Sequence, residues 1–191
     1  MNKVGYDALV PGNNDFLFGV NNLIELSKAA NFNFLAANLY DKNFDKLLFK
    51  PYEIFVFGES KIAVLGLVNP NLEELVLSEN IREVFLEEPI VTLNKWIPVL
   101  ESLDVNSIIL LTSAGVPWDR EEVYNDFIQT NKKNISNAIE LGYHATGVDI
   151  IVSGGISKGY SSPWYDPHSH VYTFQNYGNG TSFGHFILNL N

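Results

Sequence analysis

Two short apolar runs constrain this chain more than any other feature. Ile108-Ile109-Leu110-Leu111 is unbroken, and Asp149-Ile150-Ile151-Val152 runs straight into Ser153-Gly154-Gly155. A strand built from consecutive apolar residues has no polar side for water, so both of its faces must be covered. Amphipathic stretches separate such runs. Residues 21–30 place Leu23, Ile24, Leu26 and Ala30 at helical spacing, with Asn21 or Asn22 as the cap. Residues 93–103 read as helix in spite of Pro98, and 119–141 as a long helical region broken near 131–134. Strands are expected at 7–10 and 34–37, and again at 171–175 and 185–190, where a Gly-rich turn joins them. Residues 52–57 and 62–68 flank Gly58-Glu59-Ser60-Lys61 as a β-hairpin, and 70–86 is mixed helix or loop. Strands alternating with helices predict an α/β fold: a layered mixed sheet with flanking helices. In such sheets function gathers in the loops at the strand ends.

The 191 residues suffice for one domain spanning 1–191, and no linker, repeat or low-complexity tract divides them. Asp plus Glu total 22 against 12 Lys plus Arg, a net charge of −10. That balance excludes nucleic acid as the expected partner, because neutralising phosphates takes clustered Lys and Arg. It equally disfavours an anionic membrane surface. With no Cys, disulfides and thiolate metal sites drop out. The first ten residues lack the pattern of a signal peptide, and no run is long enough to span a bilayer, so the chain reads as soluble.

Three predicted strand ends carry a recognisable order of loops. The first is Tyr6-Asp7-Ala8, then Gly12-Asn13-Asn14-Asp15-Phe16, then Gly19. The second is Thr112-Ser113-Ala114-Gly115 after the apolar run, and the third is Ser153-Gly154-Gly155-Ile156-Ser157-Lys158. Ala37-Asn38 and Lys61 to Leu67 lie between them, and Tyr177-Gly178 through Gly184-His185-Phe186 closes the series. This order resembles the 5′-nucleotidase branch of the calcineurin-like metallophosphoesterases. The corresponding loops there read Gly-Asn-His-Glu/Asp-Phe, Ser-His-x-Gly and Gly-His-x-His.

The resemblance implies a metallophosphoesterase-like domain, and a chemistry in which two divalent ions activate water and clamp a phosphate. Imidazole and carboxylate suit Mn, Zn or Fe in that role. It implies that Asn13 matches a metal-ligand Asn. Asn14 stands where the catalytic His would be, Ser113 at the second-loop His, and Ile156 and Lys158 at the two third-loop histidines. Ile156 cannot coordinate, and Lys158 would set a cation beside a cation. The family's earlier Asp-x-His strand end and Gly-Asp loop have no counterpart in this sequence, so the chain matches the later part of the domain. The sheet is then expected to be incomplete, with its upstream strands missing. A missing N-terminal segment or a second polypeptide would complete it. Many relatives are periplasmic or extracellular.

Other candidates stand beside these. Asn13 is either a residual ligand or a loop residue capping the following turn, and Asp15 could assist or cap. Asp166-Pro167-His168-Ser169-His170 offers a His-x-His pair that could bind metal on a loop, or on a strand where alternate residues share a face; hydrogen bonding or exposure is the competing reading. Gly154-Gly155-Ile156-Ser157-Lys158-Gly159 lacks P-loop spacing, but Ser157 and Lys158 could hold a nucleotide or sugar-phosphate anion. Trp118, Tyr160, Trp164 and Tyr165 lie near these loops and could stack a base, or simply pack. No paired carboxylates and no Ser–His neighbours suggest another catalytic apparatus.

The resulting expectation is a degenerate 5′-nucleotidase-like domain, inactive, working as a binding or structural module with no cofactor. The alternative is a divergent phosphoesterase that carries two divalent ions (Mn, Zn or Fe) and hydrolyses a nucleotide or related ester. A third reading is an interaction subunit that pairs its sheet edge with a partner.

Overall fold

A computed structural model describes residues 1–156 and 158–189. In chain order the elements are β1 (Ala8–Leu9), α1 (Gly19–Ala29), β2 (Asn33–Phe34), β3 (Leu39–Asp41), β4 (Lys46–Leu47), β5 (Tyr52–Phe57), β6 (Ser60–Leu67), α2 (Leu72–Leu75) and β7 (Val84–Leu86). There follow α3 (Pro89–Glu101), β8 (Ser107–Thr112), α4 (Arg120–Thr130), α5 (Ala138–Tyr143), β9 (Ile150–Ser153), β10 (Trp164–Tyr165) and β11 (Tyr172–Gln175). Short 3-10 turns occupy Asn13–Phe16 and Ser78–Asn80.

The main sheet has six strands in the order β10-β11-β9-β8-β6-β5. The four inner strands are mutually parallel, and the two outer ones join antiparallel. The two apolar runs are the central strands β8 and β9, as their composition requires. Leu65 and Leu67 of β6, Leu110 of β8 and Ile151 of β9 are fully buried, in one core with Leu93, Ile97 and Leu100 of α3. At about 25 cal/mol per Å² of apolar surface, this layer is the main source of stability.

A second layer carries β1 paired with β2 in parallel, and a three-stranded sheet in the order β4-β3-β7. Phe16, Leu23, Leu39 and Leu72 are buried in its core. The layers touch at Gly66, where a Cβ would lie 2.5 Å from the Leu35 Cβ. Only glycine permits that approach, and it lets Ala37 N–H donate to the Gly66 carbonyl at 2.7 Å. Among the described residues β1 pairs on one side only, with β2.

The hairpin forms as expected, turning at Gly58 with φ +61°. The helical region after 119 breaks at Asn131, which adopts a left-handed φ of +49° and ends α4. Pro98 sits inside α3, and Pro89 opens that helix, where a missing N–H costs nothing. Three expectations need correction. The cap of α1 is Phe18, and Asn21 and Asn22 lie inside the helix, because the 3-10 turn delivers the chain to the helix two residues earlier. Residues 70–86 are neither one helix nor one loop; the stretch contains α2, a 3-10 turn and β7. Residues 185–189 form no strand, since β11 is already flanked by β9 and β10, and Leu190 lies outside the described residues. No helix of the described residues is long and apolar enough to cross a membrane.

Candidate functional site

The loops after β1, β6, β8 and β9 meet at the carboxyl end of the parallel strands, the usual place for function in such sheets. The first loop is tied by its own turn. Asp15 Oδ2 accepts from Gly12 N–H at 2.7 Å, while Asp15 N–H donates to the Gly12 carbonyl at 3.0 Å. Phe16, fully buried, anchors the turn to the second core. Asp15 therefore works as an internal acceptor of the loop. Asn14 is exposed. The Asn13 Oδ1 is buried and has no hydrogen-bond partner among the described residues.

Ser113 forms the knot of the loop cluster. It is only 5% exposed, and its hydroxyl donates to the Pro11 carbonyl at 2.9 Å and accepts from Asn69 N–H at 2.9 Å. One small side chain thus links the first loop, the end of β6 and the second loop. Asn38 completes the seam: its carboxamide accepts from Val68 N–H at 2.8 Å and donates to the Val68 carbonyl at 3.0 Å. The third loop closes on the same point. Gly155, at φ +101°, lies so near the Ser113 carbonyl that a Cβ would collide with it. Ile156 lies over Gly115, where a Cβ would come within 3.1 Å of its side chain.

Lys158 points away into a stack of rings. Its ammonium lies 4.3 Å from the Trp118 ring centroid and 5.1 Å from that of Tyr160. Arg120 lies 4.2 Å from the Tyr160 centroid, and its guanidinium donates to the Ser162 carbonyl at 3.1 Å. Such contacts attract a cation to the negative face of the ring. The Tyr160 hydroxyl donates to the Pro117 carbonyl, and burial pushes its pKa up, with Arg120 opposing. Gln175, only 4% exposed, ties the third loop to the second: its Nε2 donates to the Lys158 carbonyl at 2.6 Å and its Oε1 accepts from Val116 N–H at 2.8 Å. Ser157 lies outside the described residues.

His168 and His170 are not part of this cluster. They occupy the turn between β10 and β11, at the amino end of β11 and thus at the end of the strands opposite the loop cluster. The alternation of a strand does not apply there. His168 stacks on Tyr143 of α5 at 4.2 Å between centroids, while His170 Nδ1 lies 2.6 Å from the Tyr165 hydroxyl of β10. Asp166, fully buried, holds the turn by accepting from the backbone N–H groups of His168 and Ser169. Burial first, and then the charge of Asp166, pushes Tyr124 up to about 12. His144 is held low, first by burial and then by His168.

The donor set at the loop cluster does not fit a pair of divalent ions by itself. It offers one amide oxygen from Asn13, a hydroxyl already committed at Ser113, a hydrocarbon at Ile156 and a cation at Lys158. Among the described residues no three His, Asp or Glu side chains gather as a metal site. Sequence reasoning placed Ala37-Asn38 in the order of loops without giving Asn38 a role, and missed Asn69, Arg120 and Gln175 as parts of the seam. Asn38 and Asn69 each follow a run of apolar residues, which was the one available signal; Gln175 and Arg120 gave none.

Comparison with known proteins places this geometry. No family model matches the chain. A 5′-nucleotidase of Vibrio parahaemolyticus is 37% identical over 109 residues, which is 57% of this chain and 20% of that protein. A 5′-nucleotidase of Bos taurus is 34% identical over 125 residues, 63% of this chain and 21% of that one. The chain therefore spans about one fifth of the length of the curated relatives it matches. The calcineurin-like phosphoesterase YfkN from Bacillus subtilis superposes with a TM-score of 0.70 at 20% identity, covering 93% of this chain and 56% of YfkN. Over the part it shares with them, the chain is similar in sequence to 5′-nucleotidases and has the fold of the calcineurin-like phosphoesterase YfkN.

Proposed function

We propose that this chain is a 5′-nucleotidase-like domain whose dinuclear centre has been dismantled, and that it serves as a binding or structural module. The observation that carries the reading is Ser113. A hydroxyl that donates to Pro11 and accepts from Asn69 cements two loops, and a neutral hydroxyl held in this way is a poor replacement for an imidazole ligand. The packing of Ile156 on Gly115 and of Lys158 on Trp118 supports the same view. A nucleotide or sugar phosphate bound near Lys158 would be recognised without chemistry. A strand from an upstream segment or from a second polypeptide would pair with the free side of β1. The test is elemental analysis of the purified chain after loading with Mn and Zn and desalting. The reading predicts less than about one-tenth of an equivalent of retained metal and no phosphate released from a generic ester. Stoichiometric metal with turnover overturns it.

One observation favours a second reading, a divergent phosphoesterase. The Asn13 Oδ1 is a buried acceptor without a partner, and a cation could satisfy it. Asp15, whose Oδ2 is held by Gly12 N–H, would offer its second carboxylate oxygen beside it. Metal retained by the native chain and lost in Asn13→Ala would support this reading.

A further inference from the structure

β5 forms one edge of the main sheet, with β6 on its inner side and no strand on its outer side among the described residues. The register fixes which backbone groups face outward. Gly66 N–H donates to the Pro51 carbonyl at 3.0 Å, and the hairpin turns over two residues between Phe57 and Ser60. Hydrogen-bonded positions alternate in an antiparallel pair. Glu53, Phe55 and Phe57 therefore bond to β6, while Tyr52, Ile54 and Val56 aim their N–H and C=O groups outward. Those outward groups meet no partner among the described residues. The free run has two natural ends. At Lys50 the outward carbonyl accepts from Ala36 N–H at 2.8 Å, and at Gly58 the chain turns away. Natural sheets guard such an edge with lysine, proline or a bulge. Residues 52–57 hold no Lys and no Pro, their pairing with β6 runs without a bulge, and Val56 and Phe57 are each 64% exposed.

We propose that two copies of this chain associate through this edge, β5 lying antiparallel to β5 about a two-fold axis at Ile54. The free run is centred on that residue, so this register alone matches every outward group. Ile54 faces its own copy and Tyr52 faces Val56 of the other, for about six hydrogen bonds between the copies. The register also suits the side chains. Glu53, which already accepts from Lys50 and Asn33 at 2.9 Å each, stands opposite Phe55; a centre at Glu53 would set two carboxylates face to face. Val56 arrives beside Tyr52, Ile54 and Trp96 of the second copy, which line a groove of about 420 Å³ at this edge. Phe57 comes opposite Pro51. Charge permits the approach. The chain carries −10, but residues 50–61 balance Lys50 and Lys61 against Glu53 and Glu59, so the edge has no net charge of its own to repel its copy. The inference goes beyond the reading of the loop cluster and holds whether or not that cluster binds metal.

The test is sedimentation equilibrium of the full chain from about 5 μM to about 500 μM, with amide hydrogen exchange at both ends of that range. The mass is expected to rise from 21.4 kDa toward twice that value. The amides of Tyr52, Ile54 and Val56 should exchange at least about tenfold more slowly at the high concentration. Val56→Pro removes an outward N–H and none that bonds to β6, so it should abolish the dimer while the circular dichroism spectrum stays that of the wild type. Val56→Lys, a milder change at an exposed position, should weaken the dimer about tenfold or more, and decides the matter if the proline variant fails to fold. A mass of 21.4 kDa throughout, assembly beyond a dimer, protection of the three amides at every concentration, or a dimer that Val56→Lys leaves unchanged overturns the proposal.

Discussion

Replacing Ser113 by Ala tests the central claim about the loop cluster. The substitution removes one oxygen and keeps the Cβ, at a site 5% exposed. Two backbone groups lose their partner: the Pro11 carbonyl and the Asn69 N–H, each at 2.9 Å from that oxygen. Each is then buried and unsatisfied, at about 1–3 kcal/mol apiece. With some relaxation toward water at the loop rim, the sum comes to about 2–4 kcal/mol. That is a large share of the 5–15 kcal/mol typical of a domain. Equilibrium urea unfolding followed by circular dichroism would show it as a lower midpoint at unchanged slope. Asn14→Ala, at an exposed position of the first loop, should by contrast change stability by less than about 0.5 kcal/mol. A Ser113→Ala loss below about 0.5 kcal/mol would refute the idea that the hydroxyl cements the loops, and would free Ser113 to be considered as a ligand.

Three further outcomes follow from the geometry. Gly155→Ala forces a Cβ into the Ser113 carbonyl at φ +101°, and should cost more than about 2 kcal/mol; a wild-type melting temperature would reject the close approach of the second and third loops. Gly66→Ala drives a methyl to 2.5 Å from the Leu35 Cβ and should cost about 2–3 kcal/mol or abolish soluble expression; a fully stable variant would show that the layers slide apart easily. His144 is held below its ordinary value of about 6.5 by burial and by His168, so the unfolded chain takes up a proton there at higher pH than the folded one. Its neutral form therefore leaves stability intact above about pH 6.5, and stability falls as pH drops from there toward the folded value. Melting temperature scanned from about pH 8 to about pH 5 should decline less steeply in His144→Gln, and an identical acid limb would assign that loss to other groups.

Part of this protein is determined by local sequence alone. The composition of β8 and β9 leaves them no place but the middle of a covered sheet. The hairpin of β5 and β6 follows from two apolar strands around a glycine turn, and the order of the loops carries the family resemblance. The remaining features depend on residues far apart in the chain. β3, β4 and β10 have two or three residues each, too few for a period to show, and exist because a neighbouring strand supplies their hydrogen bonds. His168 and His170 look like a ligand pair in one dimension, yet the turn sends one ring to α5 and the other to β10. Nothing near Ser113 in sequence reveals that Pro11, 102 residues earlier, accepts its hydroxyl. Nor does anything around Gln175 reveal that it bridges Val116 and Lys158. Periodicity and residue type record what a segment needs from its surroundings. Which distant group meets that need is settled only when the sheet brings the loops together.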